Sequence, residues 1–284
     1  MIPQTFEYSA PKTLDEALQL VNRGGKPLAG GMSLIPMMKL RLAAPEQLVD
    51  IGRIKELNYI REEGGTLRLG AATTHYDVES SPLVRSKCPL LTETAAAIGD
   101  VQVRNMGTIG GSVAHADPAA DYPAALQALE AKLVLKGAKS ERTVTAADFF
   151  VEAFATVLEP GEIIREVIVP VEPSGAGTSY QKMAQPASGF AMVGVAARLQ
   201  RSDGKIHSVR IGVTGLSNHS YRAMEAERAL EGKSGSASEI QNAAALVTEG
   251  ADANSDLHAS ADYRRHLAVV YATRALVAAL ARTA

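Results

Sequence analysis

The chain has 284 residues, of which 46% are hydrophobic and 21% are charged, and its formal net charge at pH 7 is −2. This length fits one large domain or two smaller ones, and the small net charge argues against nucleic acid or a membrane surface as the main partner. No apolar run approaches the roughly 18 residues of a membrane span, and the first residues do not resemble a signal peptide, so we expect a cytoplasmic location.

The single cysteine, Cys88, limits the redox chemistry that the chain can carry by itself. One thiol forms no disulfide within the chain, and it falls short of the roughly four thiolates that hold an iron–sulfur cluster. The six histidines show no spacing typical of a metal site. Any electron transfer by this chain would therefore depend on an organic cofactor.

The first 55 residues or so are predicted to form a small α/β lobe. Thr13 and Glu16 have the spacing of a capping box, and Gly24-Gly25 ends the helix that follows. Ser33 is placed to cap the next helix. The predicted elements are a helix over 14–21, a strand over 26–29, a helix over 34–40 and a strand over 48–51.

A second lobe is predicted over residues 56–175, in which short strands alternate with helices. Phe149, Phe150 and Phe154 are expected in its core. Thr74 is expected to cap a short helix, and Asp121 to begin another with Pro123 in its first turn. The further elements are strands over 57–61, 66–71, 132–135, 142–144 and 163–169, and a helix over 89–98.

A segment rich in Pro, Gly and Ser, residues 171–177, reads as a linker to a second domain over 176–284. Strands precede helices in this part of the chain, a pattern typical of an antiparallel sheet with helices on one face. The predicted elements are strands over 178–183, 191–199 and 206–213, followed by helices over 221–230, 240–247 and 262–282.

Two glycine-rich segments, Ala29–Ser33 and Gln102–Ser112, are predicted to be loops. Three glycines within five residues make the second segment a poor strand and a poor helix, and successive amides in such loops form concave anion sites. Neither segment matches a P-loop or the G-x-G-x-x-G fingerprint. Each segment alone fits a tight turn equally well, whereas the two together suggest a diphosphate gripped from two sides.

Leu28–Pro36 and Val103–Ser112 resemble the paired FAD loops of the flavoprotein subunits of molybdenum hydroxylases, which include carbon monoxide and xanthine dehydrogenases. The resemblance covers essentially the whole chain. It implies an α+β protein in which a two-lobed FAD-binding domain of the vanillyl-alcohol oxidase/PCMH type, residues 1–175, precedes a C-terminal flavoprotein α+β domain, residues 176–284.

The resemblance also implies a set of cofactor-binding residues, with no catalytic residue and no metal ligand on this chain. Asp121 would bind a flavin or ribose hydroxyl, Ile164 would contact the ring by its main chain, and Lys182 would lie near the flavin pyrimidine. Each has a plain alternative, namely a helix cap, a strand core residue and an exposed lysine. Backbone amides would hold the two sides of the diphosphate, from Ala29, Gly30, Gly31, Met32, Ser33 and Leu34 on one side and Thr108, Ile109, Gly110, Gly111 and Ser112 on the other.

Two positions depart from the family pattern, since many members carry Asn in place of Ser112 and His, Thr or Gln in place of Met32. These changes preserve backbone contacts and remove a side-chain hydrogen bond at position 32. A β-branched residue at Gly30 or Gly110 is expected to block the cofactor with little loss of fold.

The function implied is that of a flavin-carrying electron-transfer subunit with noncovalent FAD. Its partners would be an iron–sulfur small subunit with [2Fe-2S] clusters and a molybdopterin large subunit, in a dimer of heterotrimers. The substrate of such a complex is open (carbon monoxide, an aldehyde or an N-heterocycle), although Gln185–Phe190 looks most like the carbon monoxide dehydrogenase type. The external acceptor is open between quinone, NAD and oxygen. The alternatives are a stand-alone FAD oxidase of the vanillyl-alcohol oxidase type and a scaffold in which the glycine segments are only turns.

Overall fold

A computed structural model describes residues 2–283. The first lobe is a three-stranded parallel sheet, in the strand order β1-β3-β2, with a helix on it. Its elements are β1 (Glu7–Ser9), α1 (Leu14–Asn22), β2 (Lys26–Leu28), α2 (Leu34–Lys39) and β3 (Gln47–Asp50).

Helix α1 begins where the sequence predicts, but its capping box is only half formed. The Thr13 hydroxyl accepts a hydrogen bond from the Glu16 amide at 3.3 Å. The Glu16 carboxylate accepts from the Lys12 amide instead of the Thr13 amide. Ser33 precedes α2, yet its side chain makes no capping hydrogen bond, so the predicted cap at this position is wrong.

The second lobe is a five-stranded antiparallel sheet, in the order β4-β5-β10-β6-β7, covered by short helices. Its elements are β4 (Ile60–Glu63), β5 (Thr66–Gly70), α3 (His75–Ser80), α4 (Pro82–Lys87), α5 (Pro89–Ala96), α6 (Val101–Met106), α7 (Ile109–His115), α8 (Asp121–Ala128), β6 (Lys132–Lys136), β7 (Glu141–Thr145), α9 (Ala146–Phe149), β8 (Phe150–Glu152), β9 (Ala155–Thr156) and β10 (Ile163–Pro170).

The glycine-rich segment before Ser112 is helical rather than a loop. Helices α6 and α7 cover most of it, and the Thr108 hydroxyl caps α7 by accepting from the Gly111 amide at 3.1 Å. Helix propensity alone disfavours glycine here, so close packing against the rest of the lobe determines this local structure.

Two other predictions in this lobe need correction. The strand predicted from Leu57 begins at Ile60, because a 3-10 turn over Lys55–Leu57 precedes it. Phe149 and Phe150 are buried as expected, whereas the Phe154 side chain is 60% exposed and lies outside the core. Phe154 also has a left-handed backbone, with φ of 59°.

The C-terminal part is a four-stranded antiparallel sheet, in the order β11-β12-β13-β14, with helices packed on it, as the strand-then-helix pattern predicts. The helix predicted from Tyr221 begins as a short strand, and the last two helices start three residues and one residue earlier than predicted. The elements are β11 (Gly177–Ala184), β12 (Ala191–Ser202), β13 (Lys205–Thr214), β14 (Tyr221–Arg222), α10 (Met224–Leu230), α11 (Ala237–Ala245) and α12 (Ala261–Leu280).

Helix α8 of the second lobe packs on this C-terminal sheet and joins the two parts of the molecule. Gly212 on β13 lies so close to α8 that an added Cβ would be 1.9 Å from the Ala124 carbonyl oxygen. The segment before α8 is fastened to the same sheet, because the Thr214 hydroxyl donates to the carbonyls of Pro118 and Ala120, each at 2.8 Å.

Candidate functional site

A cleft of about 810 Å³ is lined by the first lobe, the second lobe and the β11–β12 connection. This volume is in the range of cofactor sites, roughly 300–1,000 Å³. Twelve of the fourteen predicted binding residues line it, and the two that do not are Ile109 and Lys182. The twelve are Ala29, Gly30, Gly31, Met32, Ser33, Leu34, Thr108, Gly110, Gly111, Ser112, Asp121 and Ile164.

The first glycine loop presents a run of free amide donors to the cleft. None of the five amides from Gly30 to Leu34 donates to an acceptor within residues 2–283. Gly31 adopts φ of 73°, a left-handed conformation that glycine adopts readily and that occurs in the concave amide loops that bind anions. Unpaired amides grouped in this way are the donor set that a phosphate group requires.

Gly30 is needed for packing rather than for the turn. A Cβ at this position would lie 1.9 Å from the Met106 carbonyl oxygen, at the end of α6. The first loop is therefore seated directly against the second glycine segment. The expectation that a larger residue at Gly30 would spare the fold is wrong, because the backbone of α6 occupies that space.

The amides of the second glycine segment donate hydrogen bonds to acceptors within the protein. Ile109 donates to the Thr73 carbonyl at 3.0 Å, and Gly110 donates to the Ala71 carbonyl at 2.9 Å. The next two amides, of Gly111 and Ser112, donate to the hydroxyl and the carbonyl of Thr108. The two segments are therefore unequal, since only the first offers a set of unpaired amides.

Gly110 and Gly111 differ in what surrounds them. A Cβ on Gly110 would be 2.4 Å from the Ala71 Cβ and 2.7 Å from the Ala71 carbonyl oxygen. A Cβ on Gly111 would lie 2.8 Å from the Thr108 hydroxyl and 3.8 Å from the Ala29 Cβ, so it would meet a side chain and no backbone atom. Gly110 thus serves close packing, whereas Gly111 gives the cleft a wall without a side chain.

Asp121 is buried at the edge of the cleft in a cluster with two residues of β11. Its carboxylate accepts from the Tyr180 hydroxyl at 2.5 Å and pairs with the Lys182 ammonium at 2.9 Å. Burial raises the pKa of the Asp121 carboxyl, and the Lys182 ammonium opposes this shift. Asp121 is the first residue of α8, not its N-cap, which is Ala120.

For Ile164 and Lys182 the sequence left open a choice between a cofactor contact and a purely structural position. Ile164 lines the cleft with only 4% exposure, directly before an irregularity in the pairing of β10 with β6. Such bulges re-aim side chains next to binding sites. The Lys182 side chain is only 9% exposed, and its ammonium contacts the Asp121 carboxylate and the carbonyls of Ala97 and Gly189.

Two histidines also line the cleft, although sequence reasoning gave them no role beyond packing or surface positions. Burial lowers the pKa of His75 to about 4, and its Nδ1 has no hydrogen-bond partner within residues 2–283. His115 packs its ring 5.1 Å from that of Phe154, which lines the cleft too. No motif marks these residues, because only the tertiary fold brings them to the cleft.

Three further expectations from the sequence concern metal ligands, membrane-spanning helices and the single cysteine. Within residues 2–283, no cluster of three or more His, Cys, Asp or Glu side chains is arranged to hold a metal ion. No helix in the same range is long and apolar enough to cross a membrane. Cys88 is buried, and its burial raises the pKa of the thiol to about 12.

Comparison with protein families assigns both parts of the chain. Residues 4–172 match the family described as FAD binding domain in molybdopterin dehydrogenase. Residues 178–279 match the family described as CO dehydrogenase flavoprotein C-terminal domain. The interval between the two matches falls on the segment rich in Pro, Gly and Ser.

Similar proteins cover the chain from end to end. The carbon monoxide dehydrogenase medium chain of Hydrogenophaga pseudoflava is 43% identical, with all of both chains covered. The glyceraldehyde dehydrogenase medium chain of Sulfolobus acidocaldarius is 38% identical over 97% of this chain and 98% of the relative.

Solved structures agree with this assignment. A chain of Hydrogenophaga pseudoflava carbon monoxide dehydrogenase superposes with a TM-score of 0.97 at 45% identity, covering 100% of both chains. A chain of quinoline 2-oxidoreductase from Pseudomonas putida 86 superposes with a TM-score of 0.94 at 33% identity, covering 99% of both. The predicted fold class, an FAD-binding domain followed by a flavoprotein C-terminal domain, is confirmed.

Proposed function

This chain belongs to the FAD-binding medium subunits of the molybdenum hydroxylases, and from that membership we propose that it relays electrons. In this proposal it holds FAD noncovalently in the cleft, takes electrons from an iron–sulfur subunit and passes them to an external acceptor. The observation that carries the proposal is the run of five unpaired amides, Gly30 to Leu34, at the wall of an 810 Å³ cleft.

The residues of the cleft fit FAD in three respects. Unpaired amides of the first loop compensate the charge of a diphosphate without a nearby arginine. Gly111 leaves room for close approach on the facing wall. The buried Asp121 carboxylate is an acceptor within reach of the cleft for a hydroxyl of the cofactor.

Bound FAD supplies a ring that takes up electrons one at a time and releases them singly or as a pair. The chain's own residues bind it, orient it and limit the access of water. The apolar side chains of Ile98, Ile164 and Phe190 contribute to the cleft wall, and Asp121 is held by Tyr180 and Lys182 so that its position is fixed.

The proposed partners follow from what this chain lacks in its sequence. With only Cys88 it does not supply the four thiolates of a [2Fe-2S] cluster, so the cluster would lie on a small subunit. A large subunit would carry molybdopterin and the substrate site. We propose a dimer of such heterotrimers, and a boundary near residue 175 between the two domains of this chain.

The substrate is proposed to depend on the large subunit. Relatives of this chain are named for carbon monoxide and glyceraldehyde dehydrogenases, and a chain of quinoline 2-oxidoreductase shares the fold. Because these medium chains are alike while the substrates differ, the flavin subunit does not select the substrate. The acceptor would be a quinone, NAD or oxygen.

The direct test is the flavin content of the purified chain. We expect about one FAD per chain, released into the supernatant when the protein is precipitated with acid. Flavin retained in the washed pellet would indicate a covalent link and contradict this proposal. Absence of flavin binding, even after incubation with FAD, would leave the glycine segments as turns and favour the scaffold interpretation.

A further inference from the structure

His75 is a buried polar side chain that lines the cleft without a partner for its ring. The residue is 4% exposed. Its Nδ1 has no hydrogen-bond partner within residues 2–283, and the one imidazole hydrogen bond in that range belongs to His219. A buried polar group left without a partner costs roughly 1–3 kcal/mol, so proteins usually provide one from protein, water or a ligand.

The polar groups nearest to this ring do not satisfy it. Arg104 lowers the pKa of His75 by its charge, but its guanidinium donates to the Glu79 carboxylate at 2.7 Å and to the Ile98 carbonyl at 3.1 Å. The Tyr122 ring lies 5.3 Å away between centroids, tilted by 58°, and its hydroxyl has no partner among residues 2–283 either. The cleft is therefore the side from which a partner for the imidazole can come.

The backbone around the second glycine segment fixes where the ring lies. His75 is the first residue of α3, and its amide donates to the Gly107 carbonyl at 2.9 Å. A Cβ on Gly107 would lie 2.6 Å from the His75 Nε2, so the glycine leaves the space that the ring occupies. Because Gly107 also lines the cleft, the edge of the ring that carries Nε2 lies beside a segment of the cleft wall.

The ring is neutral, and its enclosure favours one of the two neutral forms. Burial lowers the pKa of His75 to about 4, so one ring nitrogen donates and the other accepts at neutral pH. Nδ1 is enclosed without a partner, and a buried N–H without an acceptor is rarer in proteins than a buried acceptor without a donor. The proton therefore belongs on Nε2, at the edge beside Gly107.

We propose that His75 is a ligand-binding residue of the cleft, whose Nε2–H donates a hydrogen bond to an oxygen of bound FAD. The amides of residues 109–112 are already engaged within the protein, so the imidazole supplies a donor on the wall that faces the unpaired amides of Gly30 to Leu34. This inference rests on the proposed function, because the ligand is FAD. It implies that the unbound chain carries the cost of an unpaired imidazole, which the cofactor removes.

His75→Leu tests the inference, because stability and FAD affinity should respond differently to it. We expect the apoprotein to lose no stability at pH 8, since an apolar group replaces a polar group without a partner, and the affinity for FAD to fall about tenfold. His75→Gln keeps a donor and should bind FAD within about threefold of the wild type. His207→Leu, at an exposed histidine of β13, is the matched control and should change neither quantity.

Two further measurements locate the contact. Nitrogen-15 spectra of the wild-type imidazoles should show His75 protonated at Nε2, with a resonance that shifts when FAD is added. Titration of His75→Leu with FMN and with ADP should show weaker binding of one of them, and that fragment carries the oxygen. The spectra need no variant, so they decide the inference even if His75→Leu does not fold.

Full FAD affinity in His75→Leu would overturn the inference and leave the proposed function standing. A His75 Nε2 resonance that stays unchanged when FAD binds would overturn it as well. Equal losses of affinity in His75→Leu and His75→Gln, each with a loss of apoprotein stability, would make the ring a packing element instead. A wild-type chain that binds no FAD would contradict the proposed function and this inference together.

Discussion

His75 illustrates how the fold sets the chemistry of one residue. Its ring is buried at the cleft beside Tyr122, with ring centroids 5.3 Å apart, and burial lowers its pKa from 6.5 to about 4. A base whose pKa is lower in the folded chain than in the unfolded chain favours unfolding when it is protonated. The contribution of neutral His75 to the free energy of unfolding is fully present above pH 6.5 and declines as the pH falls toward 4.

We predict that His75→Leu removes part of the pH dependence of stability. Between pH 8 and pH 5 the wild type should lose about 2 kcal/mol of unfolding free energy through this residue, because only the unfolded chain is protonated there. Denaturant titrations at both pH values measure the difference. His207→Gln, at an exposed histidine, is the control and should keep the wild-type difference. An equal pH dependence in wild type and His75→Leu would show that the ring is not buried in the neutral form.

Helix α7 shows at the level of an element why the second glycine segment was predicted to be a loop. Its glycines lower helix propensity, and nothing in the sequence reveals that Gly110 must pass within contact of Ala71. The continuous apolar run that begins β12 and the many apolar residues along α12 did predict those elements, because both are buried over much of their length. Tertiary contacts determine where the glycine-rich helices form, so the local sequence pattern does not predict them.

Adjacent glycines of α7 should respond differently to the same change. Gly110→Ala is expected to destabilise the fold by about 2 kcal/mol, because its methyl group would overlap Ala71. Gly111→Ala is expected to cost about 1 kcal/mol, because its methyl group would displace only the Thr108 hydroxyl that caps α7, and to weaken FAD binding, because Gly111 lines the cleft.

Denaturant unfolding and FAD titration of both variants separate the two effects. The earlier expectation that a larger residue at Gly110 spares the fold is corrected by this geometry. Stability losses of equal size in the two variants, or full FAD affinity in Gly111→Ala, would contradict the division of roles between these glycines.

At the scale of the whole molecule, the C-terminal sheet holds the second lobe through α8. Composition and element order predict two parts, and twelve of the fourteen residues that the sequence predicted to bind the cofactor line the cleft, together with many residues that it did not predict. The sequence did not predict that Asp121, Tyr180 and Lys182 form one cluster, because Asp121 lies on α8 and the other two lie on β11, far along the chain. It also placed Phe154 in the core. Nothing in the local sequence indicates that this residue, unlike Phe149 and Phe150, is exposed and has a left-handed backbone.

Gly212→Ala should weaken the attachment of α8 to the C-terminal sheet. Its methyl group would collide with the Ala124 carbonyl, and neither backbone yields without a shift of the whole helix. We expect a loss of about 2 kcal/mol in unfolding free energy, with faster hydrogen exchange in both α8 and β13. Ser208→Ala on the same strand is the control. An unchanged melting temperature in Gly212→Ala would show that the two parts are not held together at this contact.

The measurement that tests the central proposal most directly follows the flavin absorbance of this chain, alone and in the assembled complex, when a substrate is added without oxygen. Carbon monoxide, an aldehyde and an N-heterocycle are the substrates to compare. The isolated chain should be bleached by dithionite and by none of these substrates, whereas the chain assembled with its iron–sulfur and molybdenum subunits should be bleached by the one that the complex oxidises. Bleaching of the isolated chain by that substrate would contradict the electron relay and favour a stand-alone oxidase.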